Sequence, residues 1–324
     1  MLSVSQYREV FLEYLNSKII NKEPVNLYEP ITYILQLGGK RLRPVLVLMS
    51  ADVFDSSYNK ALDAALAIEV FHNFSLVHDD IMDAAPLRRG NPTVHERWDL
   101  NTGILSGDAM LINAYQLFEN YEGEIFKELA MLFTKTAIQV CEGQQYDIDF
   151  AGKEDVAIDD YLKMIEFKTA VLVGASLQMG AIIAETSTEN KLAIYEYGRL
   201  LGIAFQLQDD YLDAFGDPET FGKQVGGDII ENKKTFLYLT ALQKAEKGDA
   251  RQLEDLYSIQ PRDTSGKIES VKHIFEKSNA AKLTQQEIKK FTNQAFGTLD
   301  KMDLEENKKL ILKKFGESLM NRKV

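Results

Sequence analysis

A single cysteine, Cys141, stands in a chain of 324 residues, so no intramolecular disulfide can form. With no apolar leader run at the amino terminus, this points to a reducing, cytoplasmic setting. Prolines number seven, and none falls between Pro92 and Pro218, a span that leaves long helices unbroken. Strand signals are scarce as well, since β-branched residues nowhere alternate with polar ones over a strand's length. No stretch reaches the roughly 18 uncharged apolar residues that a membrane span requires. Positive charge is in deficit, with 37 Lys and Arg against 49 Asp and Glu for a net charge of −12. That balance argues against a nucleic-acid binder, whose phosphate-tracking surface is normally basic. Any phosphate site must be a local positive pocket in an acidic protein.

What is present reads as helix. Apolar residues make up 45% of the chain and recur at three- and four-residue steps through Tyr161 to Ile183 and Leu192 to Leu212. The expected class is all-α. Ala61 to Asp83 reads as one helix with apolar residues nearly all round, which implies burial on most sides. Breaks fall at 84–92, 215–228 and 260–266, none long enough for an interdomain linker. One domain, 1–324, is expected, and the charged helical segments beyond Ala245 read as outer helices without chemistry.

Two aspartate triplets of identical spacing stand out: Asp79-Asp80-Ile81-Met82-Asp83 and Asp209-Asp210-Tyr211-Leu212-Asp213. On a helix, residues i and i+4 share a face and i+1 lies beside it. Each triplet therefore gathers carboxylates that repel one another unless a cation neutralises them. Oxygen-only sites of this kind suit Mg²⁺, which takes one or two carboxylates together with waters and phosphate oxygens. Cations follow both triplets: Arg88-Arg89 after the first, Lys223 and Lys233-Lys234 after the second. Arg and Lys complete the shell of a polyphosphate through charge-assisted hydrogen bonds. Gly38-Gly39-Lys40-Arg41-Leu42-Arg43-Pro44 places three cations behind two glycines, a pattern shared by anion cradles and by ordinary helix junctions. Lys168-Thr169 within an apolar helix and Gln206 one turn before the second triplet complete the set.

In this order the motifs resemble those of the trans-isoprenyl diphosphate synthases, the polyprenyl synthetase family, over nearly the whole chain. The resemblance implies a single-domain isoprenoid-synthase helical bundle around a central apolar cavity. It implies condensation of isopentenyl diphosphate with allylic diphosphates by ionisation, attack and proton loss, with the released diphosphate as base and three Mg²⁺ per site. Asp79, Asp83 and Asp209 are the implied direct ligands, with Asp80, Asp210 and Asp213 in support. Arg88, Lys168, Lys223 and Lys233 would grip the allylic diphosphate, while Lys40, Arg43, His72 and Arg89 would bind isopentenyl diphosphate. Thr169, Gln206 and the Lys168 carbonyl would face the allylic cation. The carboxyl-terminal Arg322 matches the family's basic tail only in part. A homodimer is implied too, with the helix around Asn101 to Gln116, read as buried, as its face.

Product length is expected to be set by side chains preceding Asp79. At about 1.5 Å per residue, Phe74 lies about 7.5 Å and Phe71 about 12 Å down that helix. Aromatic Phe74 beside small Ser75 resembles the archaeal-type geranylgeranyl synthases, so geranylgeranyl diphosphate is the expected product and farnesyl diphosphate the nearest alternative. A class I terpene cyclase would share the fold and the first triplet, but has no use for the Lys40 to Arg43 cradle. A non-catalytic synthase subunit would have lost a triplet. Asp147 and Asp149 superficially resemble a calcium loop but lack its later ligands, and are read as solvated loop charges. Trp98, Cys141, His78 and His95 are read as packing residues.

Overall fold

The computed structural model describes residues 1–19, 22–153, 155–217 and 225–320. The described chain is all-α apart from one two-residue β ladder. It falls into two compact units, residues 1–134 with 175–192 and residues 135–174 with 193–324. The divisions lie inside helices.

The first unit begins with α1 (Val4–Lys18), whose start is set by a Ser3 and Gln6 capping box. It continues through α2 (Val25–Gln36), α3 (Leu42–Val53) and α4 (Leu62–Met82). Helix α4 matches the helix expected at 61–83 to within a residue at each end, and Ala64, Ala65, Ala67 and Ile68 on it are fully buried. After a hairpin come α5 (Val94–Arg97) and α6 (Leu100–Gln116), the latter capped by the Asp99 carboxylate accepting from the Thr102 N–H at 2.8 Å. Helix α6 buries Gly103, Ser106, Gly107, Met110 and Ala114, while Leu100, Ile104, Leu105 and Ile112 are exposed. The expectation of a buried helix at 101–116 is thus corrected. Small residues let one face approach α4, and the other face keeps its large apolar side chains in the open.

Helix α7 (Gly123–Gly152) runs from the first unit into the second. The helix anticipated from Tyr161 is interrupted. It comprises α8 (Ile158–Ile165), a π turn over Glu166–Ala170, and α9 (Val171–Ile183). The run 158–183 is long and apolar enough by composition to cross a membrane, but 72% of its most apolar window is buried inside the protein, as in a core helix. Helix α10 (Thr188–Phe215) follows, then the single turn α11 (Gly227–Ile230), α12 (Phe236–Lys244), α13 (Lys247–Tyr257), α14 (Ser265–Lys277), α15 (Ala280–Asp300) and α16 (Glu306–Met320). Tyr161, Ile203, Leu207, Leu237, Val271 and Phe275 lie in the core of the second unit. Helix α16 is tied to α10 by two hydrogen bonds: the Tyr197 hydroxyl to the Leu312 carbonyl and the Gln208 amide to the Met320 carbonyl, each 2.6 Å.

Candidate active site

In the first unit the aspartate motif ends α4. Asp79 and Asp80 are helical, Asp83 is the cap, and Ala84 at φ 48° turns the chain away. Asp80 is buried at 1% exposure and both its oxygens are engaged. Arg88 donates from Nε at 2.8 and 2.9 Å and from Nη2 at 2.6 Å. A two-residue ladder, Leu87–Arg88 against Asn91–Pro92, holds Arg88 in place. The turn joining its strands has positive φ at both central residues, Arg89 at 53° and Gly90 at 74°, the geometry that matches strand twist in a tight hairpin. The hairpin is anchored by the Tyr33 hydroxyl donating to the Pro92 carbonyl and the Thr93 hydroxyl donating to the Ala85 carbonyl.

At the hairpin tip the Arg89 guanidinium donates to the Gly38 carbonyl. Gly39 has φ 120°, and a Cβ there would lie 2.9 Å from the Arg89 Cζ. The positive φ favours glycine there, while the Arg89 guanidinium, at the end of a flexible side chain, could shift from an added Cβ. Arg43 Nη1 lies 3.2 Å from His72 Nε2. Because a guanidinium only donates, His72 accepts through Nε2 and its proton sits on Nδ1. Burial, then the charges of Arg43, Arg89, Arg88 and Arg41, hold the imidazole well below its ordinary range, so His72 is neutral. Burial also pushes Arg43 down to about 10, which leaves it charged at neutral pH. Arg43, His72, Arg88 and Arg89 are therefore brought together as a cationic cluster around a neutral imidazole, and exposed Lys40 follows Gly39 in the same loop.

The expected length-setting residues divide. Phe71, at 1% exposure, packs its ring 5.0 Å from that of Phe133 and 5.5 Å from that of Phe74, and is a core residue. Phe74 meets His78 edge to face at 4.8 Å, and the Ser75 hydroxyl donates to the His72 carbonyl of its own helix. His78 also lies 3.2 Å from the Ile104 carbonyl of α6.

In the second unit the triplet ends α10. The Tyr161 hydroxyl donates to Asp210 Oδ2, Gln206 Nε2 donates to Oδ1 at 2.8 Å, and the Thr169 hydroxyl donates to Gln206 Oε1 at 3.2 Å. Thr169, Gln206 and Asp210 thus form one directed chain. Burial pushes the Asp210 carboxyl up to about 6 against the pull of its two donors, and Asp209 adds to the rise. Asp213 accepts the Asp228 N–H on Oδ2 at 2.9 Å and the Gly226 N–H on its carbonyl at 2.7 Å, which closes the returning chain onto α10. Asp228 is a further carboxylate that motif reading passed over. Burial and the nearby Asp210 and Asp213 push it up to about 8. Lys233 pairs with Glu231 at 2.8 Å and Asp228 at 3.7 Å, so carboxylates already hold this candidate phosphate ligand. Lys223 and Arg322 lie outside the described residues.

Lys168 sits on the π turn, where the Val171 N–H reaches back to the Glu166 carbonyl. Such bulges re-aim side chains and recur at functional sites. The Lys168 ammonium pairs with Asp147 at 2.5 Å. Asp147 lies on α7, so its reading as a solvated loop charge is overturned. Two glycines make room for the bulge. A Cβ at Gly143 would lie 2.2 Å from the Lys168 nitrogen, and one at Gly202 would lie 2.6 Å from the Ala170 Cα. Both neighbours are backbone and cannot step aside. Gly143→Ala is expected to destabilise by about 1–3 kcal/mol through overpacking, with a fall in activity as Lys168 moves. Urea unfolding checks it, and wild-type stability in that variant would remove the clash as the reason for glycine.

Among the described residues, no three His, Cys, Asp or Glu side chains are gathered as a ready-made ligand cage. Asp80 and Asp210 accept from protein donors, and Asp79, Asp83 and Asp209 stand with them near the ends of their helices. A few carboxylates without nitrogen or sulfur fit Mg²⁺, which keeps waters and phosphate oxygens in its shell.

The family model for polyprenyl synthetases matches residues 24–276. The chain belongs to that family. The chain is 38% identical to a geranylgeranyl diphosphate synthase of Methanosarcina mazei over 78% of this chain and 80% of that protein. It is 37% identical to a geranylfarnesyl diphosphate synthase of Natronomonas pharaonis over 81% and 80%. A crystal structure of a geranylgeranyl pyrophosphate synthase superposes with a TM-score of 0.96 at 51% identity, covering all of both chains. The polyprenyl synthetase helical fold accounts for the all-α architecture, and an enzyme of the prenyltransferase type is what these residues build.

Proposed function

We propose that this polyprenyl synthetase is a short-chain trans-prenyltransferase. It condenses isopentenyl diphosphate with dimethylallyl, geranyl or farnesyl diphosphate and yields geranylgeranyl diphosphate. One observation carries the reading: the cradle of Arg43, Arg89 and neutral His72 adds two guanidiniums beyond the Arg88 that Asp80 engages, positive charge enough for a second anion. A cyclase takes one diphosphate and would leave that cradle idle.

Isopentenyl diphosphate is held by Lys40, Arg43 and Arg89, with His72 accepting from Arg43 and so aiming its guanidinium. Arg88, oriented by Asp80, and Lys168, oriented by Asp147, grip the allylic diphosphate. When bound at Asp79, Asp83 and Asp209, Mg²⁺ supplies the positive charge that lets the allylic carbon–oxygen bond ionise without a protein nucleophile. We take the count to be three ions per site. Thr169 and Gln206, fixed by their chain to Asp210, present oxygen lone pairs to the allylic cation. No side chain is assigned as base, and the released diphosphate accepts the proton. The exposed apolar residues of α6 suit burial against a second copy, and light scattering is expected to give the mass of a dimer.

Incubation with Mg²⁺, isopentenyl diphosphate and each of the three allylic primers tests the reading, and absence of chain growth from every primer would overturn it. Phe74→Ala is expected to lengthen the product, because Phe74 retains some exposure where Phe71 is enclosed. Unchanged chain lengths in that variant would remove Phe74 as the floor.

A further inference from the structure

We propose that Arg41, Glu69 and Asn73 form a buried positioning triad that sets the cradle for the homoallylic diphosphate. The proposal rests on the assignment of that cradle to isopentenyl diphosphate. None of the three faces substrate: their exposures are 4%, 2% and 0%. The Arg41 guanidinium donates to Glu69 on α4 and to the Leu35 carbonyl near the end of α2. Asn73, one turn along α4, donates from Nδ2 to Glu69 Oε1 at 3.1 Å and to the Glu69 carbonyl at 2.7 Å. The Glu69 carboxylate is thereby fixed from two sides.

Arg41 stands at φ 51°, a left-handed conformation that is strained for a non-glycine residue. Such strain persists only where the surroundings over-determine it, and its two anchors do so here. By holding Leu35, Arg41 closes the chain over itself between α2 and α3. That closed segment carries the Gly38 carbonyl that takes Arg89, and it carries Lys40. Two residues on, Arg43 begins α3 with its Nε buried and unpartnered, a donor left for an acceptor oxygen. Position and aim of the cradle cations follow from one buried link.

Charge gives the triad a second task. Glu69 acts on Arg43 and Arg89 as well as pairing with Arg41. It is an anion among clustered guanidiniums, and its burial keeps it from swinging into the site to compete with a diphosphate.

The test separates positioning from stability. Replacing a buried ion pair by apolar residues of similar volume is often neutral for folding, so Arg41→Met with Glu69→Leu is expected to fold with a Tm near that of the wild type. Its KM for isopentenyl diphosphate is expected to rise about tenfold or more, while KM for farnesyl diphosphate stays within about twofold. Asn73→Leu, which leaves no unpaired charge, is expected to move the same KM in the same direction by a smaller factor. Wild-type KM for isopentenyl diphosphate in both variants, or a parallel rise in both KM values, would overturn the triad while leaving the reaction assigned. A wild-type protein that extends no primer overturns the reaction itself, and the triad's role with it.

Discussion

Asp79→Asn and Asp83→Asn are each expected to lower kcat/KM for the allylic substrate by about 10²–10³-fold or more, the scale of losing electrostatic stabilisation of a leaving anion. Each should also raise the Mg²⁺ concentration that gives half the maximal rate, because a neutral amide is a poorer ligand for a hard cation than a carboxylate. Asp80→Asn should behave differently. Both Asp80 oxygens accept from Arg88, so its replacement acts through the aim of Arg88 on the allylic diphosphate. Half-saturating Mg²⁺ is then expected near the wild-type value, while KM for the allylic substrate rises. Rate measured against Mg²⁺ in the three variants decides it. If Asp80→Asn shifted the Mg²⁺ requirement as far as Asp79→Asn, Asp80 would be a ligand and the division of roles within the motif would fail.

The two triplets have the same sequence pattern, and that each follows an apolar helix could be read in advance; the middle aspartate of each proves to be the buried one. What holds each middle aspartate could not be read. Arg88 meets Asp80 through a hairpin of two-residue strands, too short for any alternation to register. Tyr161 meets Asp210 from 49 positions away, a distance no local motif spans. The π turn at Glu166–Ala170 has no signature of its own. It fits because Gly143 and Gly202 carry no Cβ to strike its backbone, and one glycine in a helical pattern does not announce what packs against it. Asp147 was misplaced for the same reason. Its spacing with Asp149 invited a loop, whereas its position on α7 aims it at Lys168. Helix α4 was legible because its burial rests on composition alone. The open face of α6 was not, since apolar side chains that cover a core and those that await a partner look alike in sequence.

Arg88→Met carries the largest stability cost we expect from a single change at the site. It leaves Asp80 at 1% exposure without its partner, and breaking a buried pair from one side costs about 3–5 kcal/mol. Arg88 itself is 27% exposed, so water reaches the vacated position and the lower end, about 3 kcal/mol, is expected. Replacing both partners, Arg88→Met with Asp80→Leu, removes the stranded charge and should return most of the lost stability in urea unfolding. Activity should not return with it, since no guanidinium is left to grip the allylic diphosphate, and KM for that substrate should stay raised. The two readouts therefore part company in the double variant. If the double variant recovered both, Arg88 would serve only to neutralise Asp80. If Arg88→Met unfolded at the wild-type urea concentration, Asp80 would have no need of a partner, and its burial would have to be explained by something other than the anchoring of an arginine.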